Sequence, residues 1–187
     1  MRCKWVNLNN KDYVKYHDEE WGVISKDDNY LFEMLVLESF QAGLSWECVL
    51  NKRDAFRKAF DNFDYNKVSK YDSKKVDELL NNKDIIRNKL KILAAINNSN
   101  VFIKIREEYG SFYNYIWGFT DGVQIVNDVE EVIVSSPLSL EISNDLKRRG
   151  MKFVGTTIIY SYLQAIGVVV DHEVGCFMSY RLKEKTE

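Results

Sequence analysis

The chain has 187 residues, of which 45% are hydrophobic and 13% aromatic, and its formal net charge is −2. That length supports one domain, or one with two lobes sharing a core, and the composition is globular rather than disordered or fibrous. Three cysteines make no disulfide framework, and no apolar run approaches the roughly 18 residues needed to span a bilayer.

No cationic start followed by an apolar run marks an export signal, so a reducing cytosol is the expected setting. The near-neutral total charge neither favours nor excludes a nucleic-acid partner, because a small footprint depends on how the charge is distributed. Apolar residues recur at spacings of three and four, and there is a single proline, Pro137, which together predict an all-α fold. Helices are expected over 11–19, 28–41, 46–60, 73–80, 84–97, 99–109, 111–118, 137–149, 156–167 and 171–178. Asp27 and Ser73 are suited to N-caps, Ser136-Pro137 to a helix start, and Gly150 after Arg148-Arg149 to a stop. The β-branched stretch 118–136, with Asp121-Gly122 as a turn, predicts a short hairpin or an ordered loop.

The chain's two histidines, His17 and His172, accompany Cys3 and Cys176 near its two ends. His172 and Cys176 are four apart, a spacing that puts both on one face of a helix. If the four meet, they form a Cys2His2 set suited to tetrahedral zinc, with no position left for substrate. The alternative is a pair of ordinary thiols and two unrelated histidines. Cys48 reads as a small, inert thiol.

Glu38 follows Leu31, Met34 and Leu35 at helical spacing, so its carboxylate projects from an apolar stripe. It either curls to water or is a desolvated, functional acid. In Gln41-Ala42-Gly43-Leu44-Ser45-Trp46, Gly43 ends one helix and Ser45 caps the next, leaving Leu44 at the tip. Such a side chain packs inward or acts as a wedge in a base stack. Basic clusters lie at Lys52-Arg53, Arg57-Lys58, Arg87 to Lys91 and Lys147 to Lys152, each equally readable as a solvated face. From Leu146 to Thr157 a helix stops at Gly150 and another begins after Gly155, a hairpin whose free N–H groups suit a phosphate.

Taken together, Cys3-Lys4-Trp5, Tyr13 to Gly22, Leu31 to Met34, Leu37-Glu38, QAGLSW at Gln41 to Trp46, KFVGTT at Lys152 to Thr157, and His172 to Cys176 resemble the 3-methyladenine DNA glycosylase I family, within the helix-hairpin-helix glycosylases. The resemblance runs essentially end to end. It implies a single domain over 1–187, a helix-hairpin-helix near 138–167, and one structural zinc held by Cys3, His17, His172 and Cys176. It further implies excision of N3-methyladenine from alkylated double-stranded DNA by hydrolysis of the N-glycosidic bond, leaving an abasic site. Because the base must be flipped into a pocket and carries positive charge, aromatic faces are expected to hold it. Tyr16 and Trp46 are the expected stacking partners, with Tyr13, Trp5 and Trp21 lining the pocket. Glu38 is the expected catalytic-site acid, accepting from the exocyclic amine. Gly43, Leu44, Gly150, Lys152, Gly155, Thr156 and Thr157 are the expected DNA contacts.

Related glycosylases carry an aspartate after the hairpin, whereas Thr156 to Gly167 contains no acid and Asp171 follows too late to match it. No lysine stands out as an amine nucleophile, so hydrolysis without a strand-cleaving step is expected. Ser39 departs from the glycine of many relatives, and Lys4 separates Cys3 from Trp5. A monomer needing no protein partner is expected. The rival readings are a zinc-stapled DNA-binding protein without catalysis and a zinc hydrolase, the latter disfavoured by a filled coordination sphere.

Overall fold

The computed structural model describes residues 1–127 and 133–179. Helix α1 (Lys11–Glu19) starts at Asn10, whose side chain accepts from the Asp12 and Tyr13 N–H groups. Helix α2 (Asp28–Gln41) starts at Asp27, which accepts from Asn29 N–H. Ten successive residues of α2, Leu31 to Phe40, are buried, so this helix is covered all round rather than along one stripe. It is the central helix, and Glu38 is inside because everything near it is.

After α2 the chain makes α3 (Trp46–Leu50), α4 (Arg53–Ala59), a 3-10 turn at Asp61–Phe63, α5 (Tyr65–Val68) and α6 (Ser73–Asn81). The single helix expected over 46–60 is therefore broken at Asn51-Lys52. There Asn51 Oδ1 is held by Asn10 Nδ2 at 2.7 Å, and Lys52 Nζ reaches Asp84 O at 3.1 Å. Asp72, not Ser73, caps α6 by accepting from Lys75 N–H.

Helix α7 (Lys89–Tyr109) is one rod of 21 residues where two helices were expected, and 84–88 precede it as irregular chain. The run Asn97 to Asn100 looks like a breaker, yet the polar side chains bond in ways that spare the helix. Ser99 Oγ and Asn100 Nδ2 both donate back to Ile96 O, at 2.7 and 2.9 Å, and Asn98 turns to another element.

Helix α8 (Phe112–Gly118) precedes strand β1 (Ile125–Val126), which pairs in parallel with β2 (Val169–Val170). The partner of β1 thus lies over forty residues on, and no hairpin forms among the described residues of 118–136. Residues 128–132 of that expectation lie outside the described residues.

Helices α9 (Pro137–Arg148) and α10 (Thr156–Ala165) form the expected hairpin, and α10 packs on both α9 and α2. Ser136 and Ser139 close a capping box on α9, with Pro137 at its first position. The helix expected over 171–178 is absent up to Cys176. Gly175, at φ +85°, takes a left-handed turn closed by Cys176 N donating to Glu173 O at 2.9 Å. Among the described residues no helix is long and apolar enough to cross a membrane.

Candidate active site and metal centre

A cavity of about 1010 Å³ opens between the N-terminal segment, the C-terminal end of α2, and α10. Its wall contains Trp5, Tyr13, Tyr16, Trp21, Glu38 and Trp46, so the acid and all five aromatics singled out from the sequence meet there. Tyr16 and Trp46 face one another with ring centroids 5.2 Å apart and planes tilted by 49°. Trp5 bridges Tyr13 at 5.3 Å and Trp21 at 4.9 Å. The aromatic surface is continuous, which suits a planar, apolar or cationic ring.

Glu38 is only 3% exposed, and its Oε2 has no hydrogen-bond partner. Burial pushes its carboxyl up to about 8, because no cation lies close enough to offset the lost hydration. Burial also raises the Tyr16 phenol well above its ordinary range, with the neighbouring Glu38 adding to the effect. Trp46 Nε1 is a second buried polar atom without a partner. An orphan acceptor and an orphan donor in one aromatic cavity are what a polar, planar ligand would satisfy.

Several residues of the cavity wall were not expected there from the sequence. Ser161 and Gln164 line it from α10, together with Thr157, which was expected as a DNA contact. Their spacing of four and three was readable as one helix face. Gln41 completes the wall from α2. Asp171 is also there, held by Tyr160 Oη at 2.6 Å, Gln164 Nε2 at 2.5 Å and Asn127 Nδ2 at 2.6 Å. Those donors come from α10 and the chain after β1, a convergence no local pattern reports.

The four metal-ligand candidates also meet. Cys3, His17, His172 and Cys176 are all buried, with their ligand atoms within 4.8 Å of one another. Cys176 Sγ lies 3.4 Å from His17 Nε2 and 3.6 Å from His172 Nδ1, and Cys3 Sγ lies 3.5 Å from His172 Nδ1. Tetrahedral bonds of about 2.3 Å to sulfur and 2.0–2.1 Å to nitrogen place such atoms roughly 3.5 Å apart. The group can therefore hold a metal ion.

The outward nitrogens are also engaged: His17 Nδ1 is 2.8 Å from Asp18 Oδ1, and His172 Nε2 is 3.1 Å from Trp21 O. Burial lowers His172 to about 4, keeping it neutral, and raises the Cys3 thiol to about 12, so a thiolate there needs a cation beside it. The ligand pair at the C-terminal end comes from a turn and not, as its spacing had indicated, from a helix face. Arg2 adds a bidentate pair to Asp18 at 2.7–3.0 Å.

The candidate DNA contacts fall into two places. Gly43, at φ +81°, ends α2, and Leu44 follows on the turn with 42% of its surface exposed. Ser45 caps α3. In the hairpin, Gly150 takes φ +99° while Lys152 is exposed. Gly155 precedes α10, whose N-terminus has no side-chain cap. Thr156 and Thr157 open that helix, and Thr157 also reaches the cavity. The Ser39 hydroxyl is shared between Leu35 O at 2.8 Å within α2 and Phe153 O at 3.1 Å, the second contact tying the cavity helix to the hairpin. The basic pair Arg53 and Arg57 is absorbed elsewhere. Arg53 is 5% exposed and bonds Glu33 at 2.6 Å and Glu20 at 2.7 Å, and Arg57 bonds Glu33 at 2.8 Å.

The sequence profile of the methyladenine glycosylases matches residues 5–179. The chain belongs to the methyladenine glycosylase family. It is 42% identical over 178 residues to DNA-3-methyladenine glycosylase 1 of Escherichia coli, covering 94% of this chain and 95% of that protein. It is 38% identical over 178 residues to the DNA-3-methyladenine glycosylase of Haemophilus influenzae, covering 94% and 96%. The Staphylococcus aureus 3-methyladenine DNA glycosylase I, solved to establish its recognition of 3-methyladenine, superposes with a TM-score of 0.90 at 31% identity over 95% of this chain and 96% of that one. In this methyladenine glycosylase family member, the structure agrees with the expected all-α, helix-hairpin-helix glycosylase fold. The aromatic cavity lies beside the first residues of α10, the helix that follows the hairpin.

Proposed function

We propose that this protein is a DNA repair glycosylase that flips N3-methyladenine out of alkylated duplex DNA and hydrolyses its N-glycosidic bond. Water adds to the sugar's anomeric carbon as the bond to the base breaks, and gives up one proton to solvent. The bonding pair leaves with the base, which thereby loses its positive charge, and an abasic site remains. The observation that carries this reading is Glu38, an acceptor with an unpartnered oxygen buried in a wall of aromatic rings. A cationic methylated adenine offers an amine donor to that oxygen and a positive ring to Tyr16, Trp46, Tyr13, Trp5 and Trp21. A neutral adenine offers the donor without the charge, so it leaves the cost of ionising Glu38 uncompensated. Selection and excision then rest on the same carboxylate.

The reading further assigns Leu44 as the wedge on its Gly43 turn. Gly150, Lys152, Gly155, Thr156 and Thr157 serve as the phosphate-binding hairpin. Cys3, His17, His172 and Cys176 would hold one zinc ion, which supplies structural cross-linking and no reactive position. Cavity, hairpin and metal centre all come from one chain, which supports a monomer. Buried free thiols suit a cytosolic setting. A zinc-stapled DNA-binding protein without catalysis would have no use for a desolvated acid in an aromatic cavity. Incubating the protein with methylated duplex DNA and identifying the released bases tests the proposal. Free 3-methyladenine is expected, with strand breaks only after alkaline treatment. If none is released above background, or if Glu38→Gln excises at the unsubstituted rate, the assignment is wrong.

A further inference from the structure

One buried cation has no place in the site so far described. Lys91 is 7% exposed and lies in the first turn of α7, where a solvated lysine would be ordinary. Its Nζ donates to Phe40 O at 2.8 Å and to Ala42 O at 2.6 Å. The carbonyl between them, on Gln41, accepts from Leu44 N–H at 2.6 Å. The last carbonyls of α2, which carry its partial negative charge, are thus closed by one ammonium and one turn amide. Burial lowers the lysine's ionisation, in keeping with a cation that is desolvated and held only by these carbonyls.

Seven residues further along the same face of α7, Asn98 does the corresponding job for the hairpin. Its Oδ1 accepts from Lys152 N–H and its Nδ2 donates to Lys152 O, both at 2.8 Å. Asn97 adds a bond from Nδ2 to Gly150 O at 2.8 Å. Seven residues are about two helical turns, or roughly 10.5 Å of rigid rise.

We infer that Lys91 and Asn98 are positioning residues that use the N-terminal half of α7 as a ruler, fixing the Leu44 turn at a set distance and orientation from the phosphate-binding hairpin. The inference rests on the DNA-binding reading of those two loops. Its reason is mechanical: a wedge opens a duplex only if the strand is gripped at a fixed offset from it. Ser39 of α2 and Ser143 of α9 also hold hairpin carbonyls, at Phe153 O and Val154 O, but α7 is the element that bonds both the Leu44 turn and the hairpin at Gly150 and Lys152. Lys91 acts through the turn and touches neither base nor cavity.

The test uses the full chain and duplexes carrying an abasic-site analogue. Lys91→Met removes both hydrogen bonds, and Lys91→Gln keeps a shorter, uncharged amide donor. Affinity for the analogue duplex is expected to fall roughly tenfold or more in Lys91→Met and by less in Lys91→Gln, as a misplaced group far from the chemistry does. Excision of methylated adenine is expected to fall far more from duplex than from a single-stranded oligonucleotide, where nothing needs wedging. Combined with Leu44→Ala, Lys91→Met should add almost nothing, because both act through one turn.

Equal losses on single and double strands, full additivity with Leu44→Ala, or unchanged duplex affinity would each overturn the inference. If Lys91→Met does not fold, Lys91→Gln carries the same comparisons, and Asn98→Ala repeats the duplex-affinity and strand comparisons through the hairpin. The affinity measurement needs no excision, so a failed glycosylase reading, seen as no base released by the unsubstituted chain, remains distinguishable from a failed positioning role.

Discussion

Glu38 shows how one side chain links stability to function. Its carboxyl ionises near pH 8 in the folded protein against an ordinary value of 4.5. Between those values the folded state holds a proton the unfolded chain has released, so stability falls as pH rises and levels off above about 8. Glu38→Gln removes that cost. Its stability should match the unsubstituted protein near pH 4.5 and exceed it increasingly towards pH 8.5, by an amount approaching roughly 5 kcal/mol and read as a growing gap in melting temperature. A difference that does not grow with pH would show that the acid is not desolvated. The same titration should appear in catalysis, since kcat/KM reports the free enzyme: excision should climb with pH towards 8, and the limb should vanish in Glu38→Gln. The sequence made Glu38 legible because an acid amid Leu31, Met34 and Leu35 breaks a pattern. Asp171 was not legible as part of the cavity wall, because its burial depends on Tyr160, Gln164 and Asn127 converging from different segments.

At the level of elements, the hairpin separates two glycines that look alike in the sequence. Gly150 needs its left-handed φ of +99°, whereas Gly155 has φ −63° and open space where a Cβ would sit. Gly150→Ala should therefore cost about 1 kcal/mol or more of stability. Gly155→Ala should melt normally yet weaken DNA binding, because its methyl would stand where backbone N–H groups approach a phosphate. Fluorescence anisotropy on both variants, paired with melts, checks this; a Gly155→Ala that binds normally would remove the phosphate role. Lys152→Ala should lose more affinity at low salt than at high salt, with a shallower salt slope. Most helices were legible from periodicity and caps, and the errors have physical causes. The run Asn97 to Asn100 hid the continuity of α7, since its side chains bond Ile96 O and Lys152 instead of competing for the helix. Near the C-terminus, four-residue spacing imitated a helix where Gly175 makes a turn.

Across the whole molecule, the two ends are joined where the cavity needs them. Phe177 N–H donates to Met1 O at 2.9 Å, and Glu173 N–H lies 3.3 Å from Cys3 Sγ, so residues 1–3 and 173–177 are laid side by side around the ligand group. Tyr16 precedes one ligand, and Trp21 offers its carbonyl to the other histidine at 3.1 Å while its ring stands 4.5 Å from that imidazole. Two walls of the cavity therefore adjoin the four candidate ligands, none of which lines the cavity itself. A metal joining His17 to His172 closes a loop of some 155 residues, worth about 4–5 kcal/mol of chain entropy if the unfolded chain releases the ion. For a chain of this size that is on the order of 10 °C in melting temperature. Purified protein should contain one zinc per chain, and exhaustive chelation should lower the melting temperature by that order. Below the new melting point, excision should fall by less than in Glu38→Gln, and returning zinc should restore both stability and activity. A melting temperature indifferent to chelation would remove the clasp. Activity abolished by chelation in a protein still fully folded would move the metal from scaffold to chemistry, against a coordination set that four side chains already fill.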